Sequence, residues 1–394
     1  MRKHVASIGI VSVFLAVFSI LCVFGGQPGA WAAEPIKIGM VASLSGWGGF
    51  VGGQQRDAVM AVVEDINRKG GVLGRPLQVL VEDDQSQPTT AVVAATKLVR
   101  DRNVVALIGP SLPDSGMAMI PISEQEQVPF MLGVPCPAEP RHWSFALGPN
   151  EDSTAEATLE IALGVNHAKR VALIYETTQV GKAGDRAFTK GIPKHPGVSL
   201  VAKEVIEHTD TSMVPQMTKI KASKPDVLVV YAGGAAAANI AKNYKQLGMT
   251  TPVVTANIAQ GPDFLKLAGP IAEEYGWIFP VWKMSVAEML PADDPFRKNV
   301  YEPAKKLFQD KYGKDKPLAI YHAPLTDCVN IVTAAIKYAG SDNRAAIRDA
   351  LEKVQCDGLI SPYHGNADSH RGSSDARAIL VDTKLKNGEF VPYK

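Results

Sequence analysis

Three sets of residues have types and spacings that invite chemistry. The first is the glycine-rich stretch VASLSGWGGFVGGQQRDA, residues 41–58. It lies between an apolar run and a segment of helical spacing, a place where helix-start N–H groups can cradle phosphate. The literal motifs fail. Gly46 and Gly48 fit the first two glycines of a dinucleotide loop, but Val51 stands at the third position, and Gly53 is followed by Gln54 rather than the lysine of a P-loop. No Lys or Arg lies between Val41 and Gln55. The stretch therefore reads as a turn needing close backbone approach or positive φ, or as the edge of a cleft that admits a small solute.

The second set is Glu82-Asp83-Asp84, either a cation site or a strand end whose Asp caps the next turn, and the cap is the favoured reading. The third is His322, His364 and His370, which lie in different segments and read as structural or surface groups. Ser111 sits in GPSLP, so there is no nucleophile elbow, and no His-Glu-x-x-His occurs. With no catalytic constellation visible, the chain is expected to be a binding protein and not an enzyme, with no cofactor and no metal.

The elements that must position these residues alternate. Strands are expected at 36–44, 76–84, 104–110 and 129–134, with helices near 54–68, 89–101 and 115–126 between them. A second series follows: strands at 170–176, 198–207, 226–234 and 252–257, with helices near 183–191, 213–222 and 235–247. The apolar runs are near-continuous, which favours parallel strands covered on both faces. The fold class is therefore α/β, with two doubly wound lobes. Segment 295–356 returns to helix, and the tail reads as a β-hairpin turning at Asn387-Gly388. Ligands of such sheets bind beyond the carboxyl ends of the strands. Two lobes with facing loops make a cleft that closes by hinge motion.

Composition narrows the class further. Arg2, Lys3 and His4, the apolar run Val5 to Phe24 and Ala30-Trp31-Ala32 form an export signal over residues 1–32, so the mature chain is expected to begin at Ala33. The whole chain of 394 residues carries 41 basic and 40 acidic side chains. Removing the signal takes two of the basic ones and leaves a net charge near zero, which argues against nucleic acid. No later segment has the apolar length of a membrane span. Cys136, Cys328 and Cys356 remain after the signal. A Cys328–Cys356 bridge and two buried free thiols are both open, with the thiols slightly favoured.

At this point the residues match a known family. IKIGMVASLSG, EDINRKGGVLGRPLQVLVEDDQSQP, ALIGP, VALIYE, YGKDKPLAIYHAPLTD and NGEFVPY span nearly the whole mature chain in order. Together they resemble the periplasmic solute-binding components of branched-chain amino acid ABC transporters, the Leu/Ile/Val-binding protein type. The resemblance implies a type I periplasmic binding fold with two lobes joined by three crossovers. Lobe 1 would hold 33–150 plus about 281–356, and lobe 2 would hold 151–280 plus about 357–394. It implies a periplasmic, monomeric receptor, since family members trap a small solute between the lobes and deliver it to a membrane permease.

Carried over position by position, the family's amino acid site changes. The serine that holds the ligand carboxylate falls at Leu112 or Pro113, flanked by Ser111, Asp114 and Ser115; Asp114 is expected to cap the next helix. The backbone group and threonine after the fourth strand fall at Val134 and Cys136, with Pro135 between them. The tyrosines of the second lobe fall at Val180 and at Gly233 or Gly234. The first-lobe tyrosine falls at Val51, near Trp47 and Phe50. The acid that pairs a ligand ammonium falls at Asn257. A buried ammonium without a counter-charge is costly. The expected ligand is therefore a small organic acid with an apolar, aromatic body, such as a benzoate-like or aryl 2-oxo acid. The alternatives are a hydrophobic amino acid or amide and, less favoured, a role as a periplasmic sensor subunit.

Overall fold

The computed structural model describes residues 33–134, 141–207, 209–373 and 375–393. Residues 1–32, expected to be an export signal, and Pro135 and Cys136 lie outside the described residues. The chain opens with β1 (Ile36–Ala42), α1 (Gly49–Arg68), β2 (Leu77–Asp83), α2 (Pro88–Thr96), β3 (Ala106–Gly109), α3 (Pro113–Glu126), β4 (Phe130–Leu132) and β5 (Ser144–Ala146). These strands form one parallel sheet in the order β2-β1-β3-β4-β5.

The near-continuous apolar character of β1 has a direct cause. Ile36, Ile38, Met40 and Ala42 point into one core and Val41 into another on the opposite face. Each face is covered by helices, so neither side of the strand meets water. The helix covering the first face beside α1 comes from far along the chain: α10 (Ala323–Ala339) contributes Val329, Val332 and Ile336 to it. Short α11 (Arg344–Leu351) packs against α10.

The second series repeats the plan. It runs α4 (Glu151–Gly164), β6 (Arg170–Glu176), α5 (Gln179–Gly191), β7 (Ser199–Ile206), α6 (Val214–Ala222), β8 (Val227–Tyr231), α7 (Gly234–Gln246), β9 (Val253–Thr255), α8 (Pro262–Glu274) and β10 (Phe279–Trp282). The sheet order is β7-β6-β8-β9, again parallel. Val227 and Val229 face one core with α4 and α5, while Leu228 and Val230 face the other with α7. A parallel bridge from Val254 to Ile278 leads from β9 to β10.

The remaining elements are α9 (Glu302–Tyr312), which packs on α1, the two-residue strands β11 (Gln355–Cys356) and β12 (Tyr363–His364), and the tail hairpin of β13 (Leu380–Lys386) and β14 (Glu389–Pro392). β13 pairs antiparallel with β10 and β14 in a separate three-stranded sheet, which the Val254–Ile278 bridge links to the second sheet. Asn387 and Gly388 both take positive φ, 54° and 77°, as a tight hairpin turn of this sequence requires. Cys328 and Cys356 are free thiols, not a disulfide. Among the described residues no helix is long and apolar enough to cross a membrane.

A candidate site between the two sheets

The glycine-rich stretch is half turn and half helix. The helix α1 begins at Gly49, five residues earlier than its apolar spacing suggests, so Phe50 to Gly53 are helical. Gly46 has φ +75°, and a Cβ there would lie 2.6 Å from the Gln85 carbonyl oxygen. At Gly52 a Cβ would lie 2.0 Å from the Ser43 carbonyl oxygen, so only glycine lets α1 start against the end of β1.

The acidic run at the end of β2 pins this turn. Asp83 accepts hydrogen bonds from the N–H groups of Leu44 (2.8 Å), Ser45 (3.2 Å) and Gln85 (2.8 Å), and from the Ser45 hydroxyl (2.6 Å). Burial opposes ionisation of Asp83, but these bonds outweigh it and hold the carboxyl below its usual range. Asp84 accepts from the Ser86 N–H (2.8 Å), and Glu82 pairs with Lys97 (2.9 Å).

Around the turn after β3 the hydroxyls have different fates. Ser111 donates to Gln55 Oε1 (2.6 Å) and accepts from the Ser43 N–H (3.1 Å), so its one proton is already committed inside the lobe. Ser115, in the first turn of α3, is fully buried and its hydroxyl has no partner among the described residues. Leu112 is buried against Gly48, and Pro113 occupies the first turn of α3. Asp114 corrects the expectation of a cap. Leu112 holds the N-cap position with no side-chain cap, and Asp114 lies exposed within the first turn, where its charge favours the helix dipole. Val134 is buried against Gly116 of α3.

Trp47 and Phe50 stand at the rim, 77% and 71% exposed, with Val51 half-buried beside them. Phe50 meets Tyr321 edge to face at 6.3 Å between ring centres. In the second series Val180 lies in the first turn of α5 and packs inward, and Gly233 caps α7, its α-carbon covered by Ile258. Asn257 is 6% exposed, and its Oδ1 has no partner among the described residues.

Asn257 is the one expected residue that lines a cavity of about 700 Å³. The other walls are Ile258 and Gln260 beyond β9, Trp282 beyond β10, Tyr301, and Ile320 and Tyr321 ahead of α10. The cavity thus joins the carboxyl end of the second sheet to the helices that cover the first. Gln260 is held in place, donating to the Asn257 carbonyl (2.8 Å) and accepting from Ser285 (3.1 Å). Glu288, at the wall, accepts from Lys305 (2.6 Å) and from the Tyr301 hydroxyl (3.0 Å), and the lysine holds its carboxyl below the usual range.

The aromatic wall was missed by sequence reasoning. Tyr321 lies within a segment quoted for the family resemblance, but nothing local to it signals a role. Glu151 was missed as well. It is the first residue of α4, whose N-cap Asn150 accepts from the Ser153 N–H at 2.8 Å. Burial, and then the charge of Asp152, push the Glu151 carboxyl up to about 7. Of the three histidines, His364 lies exposed in β12 and the other two have structural partners. His322 bonds to the Ala319 backbone and packs on Phe308, and His370 bonds to Glu352 (2.8 Å) and stacks on Phe145. The arrangement offers apolar walls, aromatic edges and a few unpartnered buried polar atoms, which is the make-up of a small-molecule site.

Comparison with known proteins agrees with this geometry. Residues 35–388 match the model of a family described as periplasmic binding protein. The Leu/Ile/Val-binding protein BraC3 of Rhizobium johnstonii is 31% identical over 52% of this chain, which spans 55% of that protein's length. The Leu/Ile/Val-binding protein homolog 3 of Brucella melitensis is 26% identical over 81% of this chain and 84% of its own. An extracellular ligand-binding receptor from Rhodopseudomonas palustris HaA2 superposes with a TM-score of 0.76 at 29% identity, over 92% of this chain and all of that one. A solute-binding protein of an ABC transporter from Rhodopseudomonas palustris BisB5, in complex with 3,4-dihydroxybenzoic acid, superposes with a TM-score of 0.70 at 16% identity, over 91% of this chain and 96% of its own. The α/β architecture, the paired parallel sheets and the family match over residues 35–388 place the chain in the periplasmic binding protein family.

Proposed function

We propose that this protein is the periplasmic solute receptor of an importer, closing its two lobes on a small organic acid with an apolar, aromatic body and presenting it to a membrane permease. The observation that carries the ligand class is Asn257. It lines the cavity with an amide at the position where the family resemblance expects an acid, and Glu288, the carboxylate near it, is already held by Lys305 and Tyr301. Trp282, Tyr301 and Tyr321 offer ring edges and faces to an aromatic body. The buried, unpartnered hydroxyl of Ser115 and the first turn of α3 suit its carboxylate.

A second reading, a branched-chain or other hydrophobic amino acid, is favoured by the names of the curated relatives and by the half-buried carboxylate of Glu151. The test is a thermal-shift screen of ligand-stripped protein against benzoates, aryl 2-oxo acids, leucine and valine. A ligand at about 100 times its Kd adds roughly 2.7 kcal/mol. The first reading expects shifts with the aromatic acids and none with leucine or valine; the reverse pattern replaces it with the second.

A further inference from the structure

A second cavity, about 260 Å³, is walled by the segments that join the two halves. Lys283 follows β10 on the way back to the first half, and Ser373, Ala378 and Ile379 lead on to β13. The two segments are tied, the Lys283 N–H donating to the Ile379 carbonyl at 2.9 Å. Phe296 and Val300, ahead of α9, and the turn at 358–361 add further walls. The two cavities stand back to back. Trp282 and Met284 line the larger one, and Lys283 between them lines this one.

The turn at 358–361 is held to α10, where Asp327 accepts from the N–H groups of Leu359 and Ile360, both at 2.8 Å. Ser361 is 1% exposed, and its hydroxyl has no partner among the described residues. In its present rotamer the hydroxyl stands over the bare α-carbon of Gly148, where a Cβ would lie 2.5 Å from Oγ. A buried hydroxyl without a partner costs free energy. Turning it to another staggered rotamer breaks no hydrogen bond, so a polar group in the cavity that Ser361 lines can claim it. Charge on the walls is already met. Lys283 Nζ pairs with Asp294 at 3.2 Å and lies 5.6 Å from the centre of the Phe296 ring. The carboxylate of Asp357 is exposed to water, where an ion pair is worth little.

We propose that this cavity is a second small-molecule site, for a neutral molecule with an apolar, ring-sized body and one hydroxyl, an alcohol or a phenol. Phe296, Val300, Ile360 and Ile379 cover the body. Ser361 exchanges a hydrogen bond with the hydroxyl, each group being both donor and acceptor. A cavity of about 150 Å³ holds benzene, so about 260 Å³ admits a ring with its substituents. Lack of charge separates this ligand from the organic acid proposed for the larger cavity.

The probe is 4-fluorophenol, neutral at pH 7, titrated into the purified protein and followed by fluorine NMR. Fluorobenzene is the control without a hydroxyl. The wild type is expected to bind 4-fluorophenol about fivefold more tightly than fluorobenzene, and Ser361→Ala to weaken 4-fluorophenol by about the same factor. Ala378→Trp, at an exposed position on the cavity wall, is expected to fill the opening and abolish binding of both probes. Melting curves establish that the variants are folded, and Ala378→Trp decides if Ser361→Ala is not. Asn257→Ala, on the wall of the larger cavity, is expected to leave the titration unchanged. No binding to the wild type, or binding that survives Ala378→Trp, would overturn the site. Loss with Asn257→Ala alone would place the probe in the larger cavity and overturn it equally. Equal affinity of wild type and folded Ser361→Ala for 4-fluorophenol would overturn the hydroxyl-bearing ligand class.

Discussion

The two halves of the molecule start their first helices in the same way and furnish them differently. In the first half, α1 begins so close to β1 that a Cβ on Gly52 would lie 2.0 Å from the Ser43 carbonyl oxygen. In the second half, α5 begins so close to β6 that a Cβ on Gly181 would lie 1.9 Å from the Glu176 carbonyl oxygen. The sheet orders run in parallel too, with the first strand of each half between the second and the third. What differs is the side chains at the rim. The first half presents Ser43, Ser111 and Ser115 behind a turn pinned by Asp83. The second half presents Val180, Gly233 and Asn257. The shared part is a backbone requirement that only glycine meets. The unshared part is where ligand chemistry is chosen.

The most severe test of this comparison is steric. Gly52→Val and Gly181→Val each force a side chain into a backbone oxygen, and each is expected to lower stability by about 3 kcal/mol or more, read from urea unfolding. Similar losses in both halves confirm the equivalence, and a loss in only one breaks it. Next comes the pinned turn. Asp83→Ala removes the acceptor of three N–H groups and a hydroxyl, and is expected to cost about 2 kcal/mol. Thr178→Ala at the matching turn removes the single cap bond to the Gly181 N–H, for about 1 kcal/mol.

A gentler test uses pH. Burial pushes the carboxyl of Asp327 up to about 7, against the opposing hydrogen bonds from the N–H groups of Ile360 and Leu359. Asp327 and Glu151 therefore keep a proton in the folded state at pH values where the unfolded chain has released it. The stability they contribute is fully present below pH 4 and is lost as pH rises to about 7. Urea unfolding of wild type and Glu151→Gln across that window reads the second-half share as the difference in slope; equal slopes would remove Glu151 from the account. The smallest effect belongs to the rim. Trp47→Ala is expected to change stability by less than about 0.5 kcal/mol, because the side chain is exposed. Phe50→Ala, which takes the ring off Tyr321, is expected to weaken ligand binding a few-fold with the melting curve unchanged.

The central strands were legible because burial on both faces writes long apolar runs, as in β1, β6 and β8. The short strands β5 and β10 were not, since three or four residues carry no period. The start of α1 was hidden by its glycines, which read as loop although a helix needs them for close approach. Within the site, the glycine turn was visible as a strand-to-helix turn and Asn257 as a departure from a family pattern. The commitment of Ser111 was not, because its partner Gln55 is 56 positions away and becomes a neighbour only through packing. Glu151 and Tyr321 were invisible for the same reason. Each matters through what stands opposite it.

The tail hairpin has a consequence for how the molecule comes into being. β10 has its antiparallel partner only once β13 is in place, and Leu385 of that strand sits in the core with Phe264, Phe279 and Val281. α10 closes the core of the first sheet from equally far along the chain. Neither half can finish on its own stretch of sequence, so a growing chain exposes open sheet edges until nearly the last residue has been made.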